Sequence, residues 1–160
     1  MNYEESIAYL EAAASFGIKP GLERIEAILK RLDHPEKAYK VIHVTGTNGK
    51  GSVVAMITSV LENATLKVGR YISPHLIDYT ERIHIAGHDI SKEDFAKAAT
   101  VVREAAEKAI ADGVEAPTEF ELLTAMAFWY FKEQKVDYAV MEVGMGCLLY
   151  TSPSPRDRTR

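Results

Sequence analysis

The run Val44-Thr45-Gly46-Thr47-Asn48-Gly49-Lys50-Gly51-Ser52 constrains this chain more than any other. It joins a β-branched segment to a helical one through a loop rich in glycine. Val41-Ile42-His43-Val44 arrives from a turn-rich stretch around His34-Pro35 and reads as a short buried strand. After the loop, Val53, Val54, Met56, Ile57, Val60 and Leu61 recur at helical spacing, so the order is strand, tight loop, helix. The loop then lies at a helix N-terminus, where backbone N–H groups have no partner inside the helix. Gly46, Gly49 and Gly51 let several amides converge on one anion, Lys50 supplies a mobile positive charge for outer phosphates, and Ser52 offers a hydroxyl to Mg²⁺. The spacing is shorter than in the common P-loop: two residues separate Gly46 from Gly49, and Gly51 stands between Lys50 and Ser52.

The remaining composition narrows the setting. No apolar stretch approaches the roughly 20 residues that a bilayer requires, and the acidic start Met1-Asn2-Tyr3-Glu4-Glu5 lacks the basic and apolar regions of a signal peptide. One cysteine, Cys147, excludes an internal disulfide and a cysteine metal cluster. These features point to a cytoplasmic protein with no membrane partner. Net charge is −4, but Arg156, Arg158 and Arg160 against Asp157 leave the tail at +2 and the rest of the chain at −6. An acidic body matches nucleic acid poorly, so no nucleic-acid partner is expected.

Along the chain, helical and strand patterns alternate. Asn2 and Glu5 form a capping-box pattern ahead of the stripe Tyr3, Ile7, Leu10 and Ala14, which stops near Gly17. A second amphipathic helix carries Leu22, Ile25, Ile28, Leu29 and Leu32 and ends before His34-Pro35. Residues 67–72 read as the next strand, running into the loop Ser73-Pro74-His75-Leu76. Glu81 to Ile85 read as another short strand turning at Gly87. Ser91 caps an alanine-rich helix reaching about Asp112, and Thr118 to Glu121 form a second capping box for a helix to about Lys132. Residues 136–143 then read as a buried strand. The alternation predicts an α/β fold: a P-loop-type, doubly wound parallel sheet preceded by two short helices. In such sheets the carboxyl ends of the strands hold ligands.

Glu142 ends the last strand. Alone it reads as a solvated carboxylate; paired with Lys50 and its loop, it reads as an acid able to reach a Mg²⁺ that bridges phosphates. Ser73, ahead of a proline, reads on its own as turn chemistry. His75, His84 and His88 have no ligand spacing among themselves, and no serine-histidine-aspartate or paired-acid arrangement is present.

Residues 42–52, then Tyr71-Ile72-Ser73-Pro74-His75-Leu76 with Glu81-Arg82-Ile83, then Met141-Glu142-Val143-Gly144-Met145-Gly146 resemble, in the same order, the amino-terminal part of the bacterial folylpolyglutamate/dihydrofolate synthases of the Mur ligase superfamily. With Gly21-Leu22-Glu23-Arg24-Ile25, the resemblance covers residues 1–146. It implies an incomplete Mur-ligase central domain and an ATP-dependent ligase. Such an enzyme adds L-glutamate to dihydropteroate or (tetrahydro)folate through an acyl phosphate, and the family is usually monomeric. Carried over by residue, it implies that Gly46, Thr47, Asn48, Gly49, Lys50, Gly51 and Ser52 bind ATP phosphates, with Lys50 also catalytic. It further implies that Ser52, Ser73 and Glu142 hold Mg²⁺, and that Pro74, His75, Thr118 and Phe120 lie on the pterin side. Two alternatives stand beside it. One is a stand-alone nucleotide-binding module. The other is a cell-wall Mur-type amino acid ligase, disfavoured because only 43 residues precede Val44, too few for the nucleotide-sugar domain normally found there.

After Gly146 the family pattern calls for a further glycine and then an aspartate. This chain instead runs Cys147-Leu148-Leu149-Tyr150 into a Ser-, Pro- and Arg-rich segment without helical or strand period. Residues 147–160 are therefore read as a non-native or disordered tail, and the chain as written as lacking the parts needed to complete a catalytic cycle. On that expectation, the purified 160-residue chain releases no ADP in response to glutamate; a measurable glutamate-dependent rate would overturn it.

Overall fold

The structure is a computed structural model that describes residues 1–17 and 19–142. The reading of residues 147–160 as a tail, and Val143 to Gly146 of the last motif, lie outside the described residues. Helix α1 (Tyr3–Ala14) opens with the expected capping box: the Asn2 side chain accepts from the Glu5 N–H while the Glu5 carboxylate accepts from the Asn2 N–H. Helix α2 (Glu23–Arg31) ends before the left-handed residues Asp33 and His34. Strand β1 (Lys40–Val44) leads through the glycine loop into helix α3 (Lys50–Asn63), and β2 (Val68–Tyr71) follows. Next come the hairpin β3 (Ile83–Ile85) and β4 (His88–Asp89), helix α4 (Lys92–Ala111), helix α5 (Glu119–Glu133) and strand β5 (Tyr138–Glu142).

The five strands form one sheet in the order β1-β5-β2-β3-β4. The first three are parallel, as read from the alternation; β3 and β4 extend the sheet antiparallel. The cause is the connection. Residues 72–82 contain no crossover helix, and so short a link returns the chain beside β2 in the opposite direction. Glu81 and Arg82, read as strand residues, instead lie in a 3₁₀ turn (Tyr79–Arg82) that Asp78 and Glu81 cap reciprocally. The strand begins only at Ile83. Ala86 and Gly87 then close the hairpin, both with positive φ as a two-residue turn of this kind demands.

Side chains alternate across the sheet. Val44, Val68 and Val140 pack with Val54 of α3 on one face, while Tyr71, Ala139 and Met141 join α1, α2, α4 and α5 on the other. With helices on both faces, β2 and β5 read as continuous apolar runs. Helix α5 contributes most to the larger core through Leu122, Leu123, Met126 and Phe131, all at most 1 % exposed. Each such side chain stabilises the fold by about 1.5–3 kcal/mol.

A buried ion pair ties the first helices to the last. Arg24, 5 % exposed, donates from Nε to both Glu121 oxygens at 3.1 Å and from Nη2 to Oε1 at 2.8 Å; its Nη2 also donates to the carbonyls of Lys19 and Pro20. Glu121 meanwhile accepts from the Thr118 N–H at 3.1 Å, completing the cap of α5. The start of α5 is thus fixed from two sides.

No helix among the described residues is long and apolar enough to cross a membrane.

Helix α5 lies so close to β2 that a Cβ on Gly69 would stand 2.5 Å from the Phe131 ring. Gly69→Ala is therefore expected to destabilise the protein by about 1–3 kcal/mol through overpacking, read as a lowered urea midpoint. Adding Phe131→Leu should recover part of the loss.

Candidate functional site

The register places three strand ends side by side. Val44 of β1 stands opposite Glu142 of β5, and Tyr71 of β2 opposite Met141. From these ends leave the glycine loop, the Glu142 side chain and the loop that begins at Ile72. This is the sheet edge at which α/β proteins hold ligands.

At the glycine loop, Gly49 caps α3 with φ 74° and ψ 8°, a left-handed conformation that only glycine adopts without cost. No side chain caps this helix and no acidic residue sits in its first turn, so its N-terminal amides and the positive end of its dipole face outward. Thr45, Gly46, Thr47, Asn48, Gly49, Gly51 and Ser52 are exposed, and Lys50 is half-buried. The Lys50 stem passes Gly46, its Cγ lying 3.9 Å from where a Cβ would stand. An exposed row of amides beside a lysine is an anion cradle.

Strand alternation puts Glu142 on the α3 face, like Val140 two residues before it. It is 8 % exposed, and its carboxylate takes no hydrogen bond or ion pair from the described residues. The described residues hold no group of three His, Cys, Asp or Glu able to bind a metal. Ser52, Ser73 and Glu142 instead offer two hydroxyls and one carboxylate, all hard oxygen donors. That set suits Mg²⁺, which keeps several waters and binds through few protein carboxylates together with substrate phosphates.

The second loop is held by Glu81 and Arg82. Glu81 accepts from the N–H groups of Leu76, Ile77 and Asp78 at 3.0, 2.8 and 2.7 Å, and these three bonds keep its carboxyl below the usual range. Leu76 and Ile77 are left 92 % exposed. Arg82, 8 % exposed, donates from Nε to His75 Nδ1 at 2.7 Å, lies over the Tyr79 ring at 5.4 Å, and reaches Ser73 Oγ from Nη1 at 3.4 Å. The His75 ring packs on Tyr79, whose hydroxyl donates to Glu119. Burial and that bond raise the Tyr79 pKa, so the phenol stays protonated.

The residues expected on the pterin side fall into two groups. His75 and exposed Pro74 lie on the loop itself, and Tyr79–Glu119 ties that loop to the start of α5. Phe120 is half-buried edge-on to Tyr71. Thr118 is 6 % exposed, and its hydroxyl accepts the Glu121 N–H as the helix cap. Arg82 and Tyr79 were not singled out as site residues from the sequence. The Asp78-to-Glu81 capping pattern was the available signal that this segment turns rather than extends.

Comparison with known proteins gives a consistent result, although no family model matches the chain. The dihydrofolate synthase/folylpolyglutamate synthase of Bacillus subtilis is 41% identical over 145 residues, covering 90% of this chain and 34% of that protein. The solved folylpolyglutamate synthetase of Lactobacillus casei superposes with a TM-score of 0.83 at 41% identity, over 93% of this chain and 38% of that one. A solved complex of FPGS with AMPPCP and folate gives 0.79 at 39% identity, over 90% and 35%. The chain thus spans about a third of the length of the relatives it matches.

Burial first, and the Arg82 charge second, lower the His75 pKa below the usual histidine value of about 6.5. The unfolded chain therefore takes up this proton at a higher pH than the folded one. Stability should be unaffected by His75 above about pH 6.5 and should fall as pH drops from there toward the folded pKa. Urea midpoints measured across that window should slope for the wild type and slope less for His75→Gln; identical slopes would remove the effect.

Proposed function

We propose, from the premise that this chain is a homologue of the folylpolyglutamate and dihydrofolate synthases, that it forms the amino-terminal, phosphate-binding part of an ATP-dependent ligase joining L-glutamate to dihydropteroate or (tetrahydro)folate. The observation that carries this reading is the level register of Val44 and Glu142. It sets a buried carboxylate, unpartnered among the described residues, beside an uncapped glycine loop. Relatives solved with AMPPCP, with AMPPCP and folate, and with ADP support a nucleotide and a folate as ligands.

In this reaction an acceptor carboxylate oxygen attacks the γ-phosphorus of ATP, the bond to the bridging oxygen breaks, and ADP leaves. The amino nitrogen of glutamate then attacks the acyl carbon, phosphate departs, and the nitrogen loses a proton. Neither displacement needs a nucleophile from the protein, so positioning and charge neutralisation do most of the work. The amides of residues 46–52 would hold the phosphate oxygens, and Lys50 would neutralise charge on the outer ones as the bridging bond breaks. Ser52, Ser73 and Glu142 would hold Mg²⁺, which would supply further charge neutralisation. Pro74, His75 and Phe120 would flank the acceptor, while Thr118 would act at one remove by fixing the start of α5.

The test is equilibrium binding of AMPPCP to the 160-residue chain with and without Mg²⁺. Lys50→Met should weaken binding by about 10- to 100-fold, the range expected for a lost hydrogen bond to a charged group. Glu142→Gln should abolish most of the improvement that Mg²⁺ brings. Absence of AMPPCP binding to the wild type would refute the reading.

A further inference from the structure

Arg82 is a buried cation that no carboxylate of the described residues contacts. No ion pair forms at it among the described residues, where its side chain meets a histidine nitrogen, a serine hydroxyl and an aromatic ring. Carboxylates are near, yet each is engaged elsewhere. Glu81 gathers the amides of residues 76–78, Glu119 accepts from Tyr79, and Asp78 accepts from the hydroxyls of Tyr3 and Thr80. Burying most of a guanidinium while the nearby described carboxylates bond to neutral donors is costly unless another anion meets its open side. Its Nη2 donates to no described residue, and the bond from Nη1 to Ser73 is long enough to yield. Nε is locked to His75, so the planar fork is held in one orientation, facing the Ser73 end of the loop.

We infer that Arg82 is a specificity residue that recognises the carboxylate of the acceptor substrate beside Ser73. This deepens the ligase reading and rests on it. A carboxylate fits better than a phosphate here, because the phosphates already have Lys50 and the N-terminus of α3, whereas Arg82 stands on the loop tied to α5, among His75, Tyr79 and Ser73. The fork geometry of arginine suits a two-oxygen acceptor, and the charge-assisted bonds it makes are stronger than neutral ones. The same placement bears on Ser73. A cation at 3.4 Å from its hydroxyl disfavours a metal there until an anion has engaged Arg82, so acceptor binding and metal binding at Ser73 should favour each other.

The experiment compares pteroate with its carboxamide as ligands of the 160-residue chain, in the wild type, Arg82→Gln and Arg82→Lys. Circular dichroism and thermal melts monitor folding, and AMPPCP binding is measured in parallel. The wild type should prefer pteroate to the carboxamide by about tenfold or more, and Arg82→Gln should lose that preference by weakening pteroate while leaving the carboxamide unchanged. Arg82→Lys keeps the charge but not the fork and should retain an intermediate preference; it decides the matter should Arg82→Gln not fold. Equal loss for both ligands marks Arg82 as merely structural and overturns the inference, as does an unchanged preference in Arg82→Lys when Arg82→Gln does not fold. Loss of AMPPCP affinity without a change in selectivity overturns it in favour of a phosphate. Pteroate failing to bind while AMPPCP binds overturns this inference alone; AMPPCP failing to bind overturns the ligase reading.

Discussion

The parallel pairing of β5 with both β1 and β2 is the constraint on which the rest of this structure depends. A strand inserted between two others must match both registers at once, and here the match is Val44 to Glu142 on one side and Tyr71 to Met141 on the other. A slip of one residue would turn Val140 toward the larger core under α5 and drive Ala139 and Met141 into the valine cluster on α3, undoing both faces at once. The apolar pattern of β5 therefore sets where its final carboxylate stands. The position of Glu142 is a by-product of core packing and costs the site no arrangement of its own.

The loop after β2 is organised by different physics. It has almost no apolar interior and is shaped by polar contacts of short sequence range: Glu81 onto three amides, Arg82 onto His75, Asp78 onto Thr80. Two hydroxyl bonds, from Tyr3 to Asp78 and from Tyr79 to Glu119, then fasten it to α1 and α5. Each exposed contact is worth little in isolation. Their number, and the burial of Arg82, hold the loop in a single arrangement. The helix ends nearby follow the same logic, since Glu121 serves Arg24 and the α5 cap together, so that an element remote in sequence fixes one wall of the loop.

Much of this was legible in the sequence because the signals are local. Capping residues Asn2, Ser91 and Thr118 marked helix starts, and the glycine loop declared both its neighbours. The antiparallel hairpin was not legible, because Glu81 to Ile85 carry a strand-like pattern whose first two residues are claimed by a turn cap, and strand direction depends on the connection rather than on the residues paired. The candidate site divides in the same way. Lys50, Ser52 and Glu142 could be named from their places at element ends. Arg82 could not, since a lone arginine before a strand ordinarily reads as surface charge, and only its burial and the prior engagement of three nearby carboxylates set it apart.

Gly69 carries one further implication. Its missing side chain sets the height of α5 above the sheet, with Phe131 filling the space that a Cβ would occupy. Positions 69 and 131 therefore share one fixed volume, although 62 residues of chain separate their numbers. Among sequences that adopt this architecture, a larger residue at the first should appear only with a smaller one at the second, and recombination between distant homologues with a break point between them should yield misfolded chimaeras more often than breaks placed elsewhere in the helical layer.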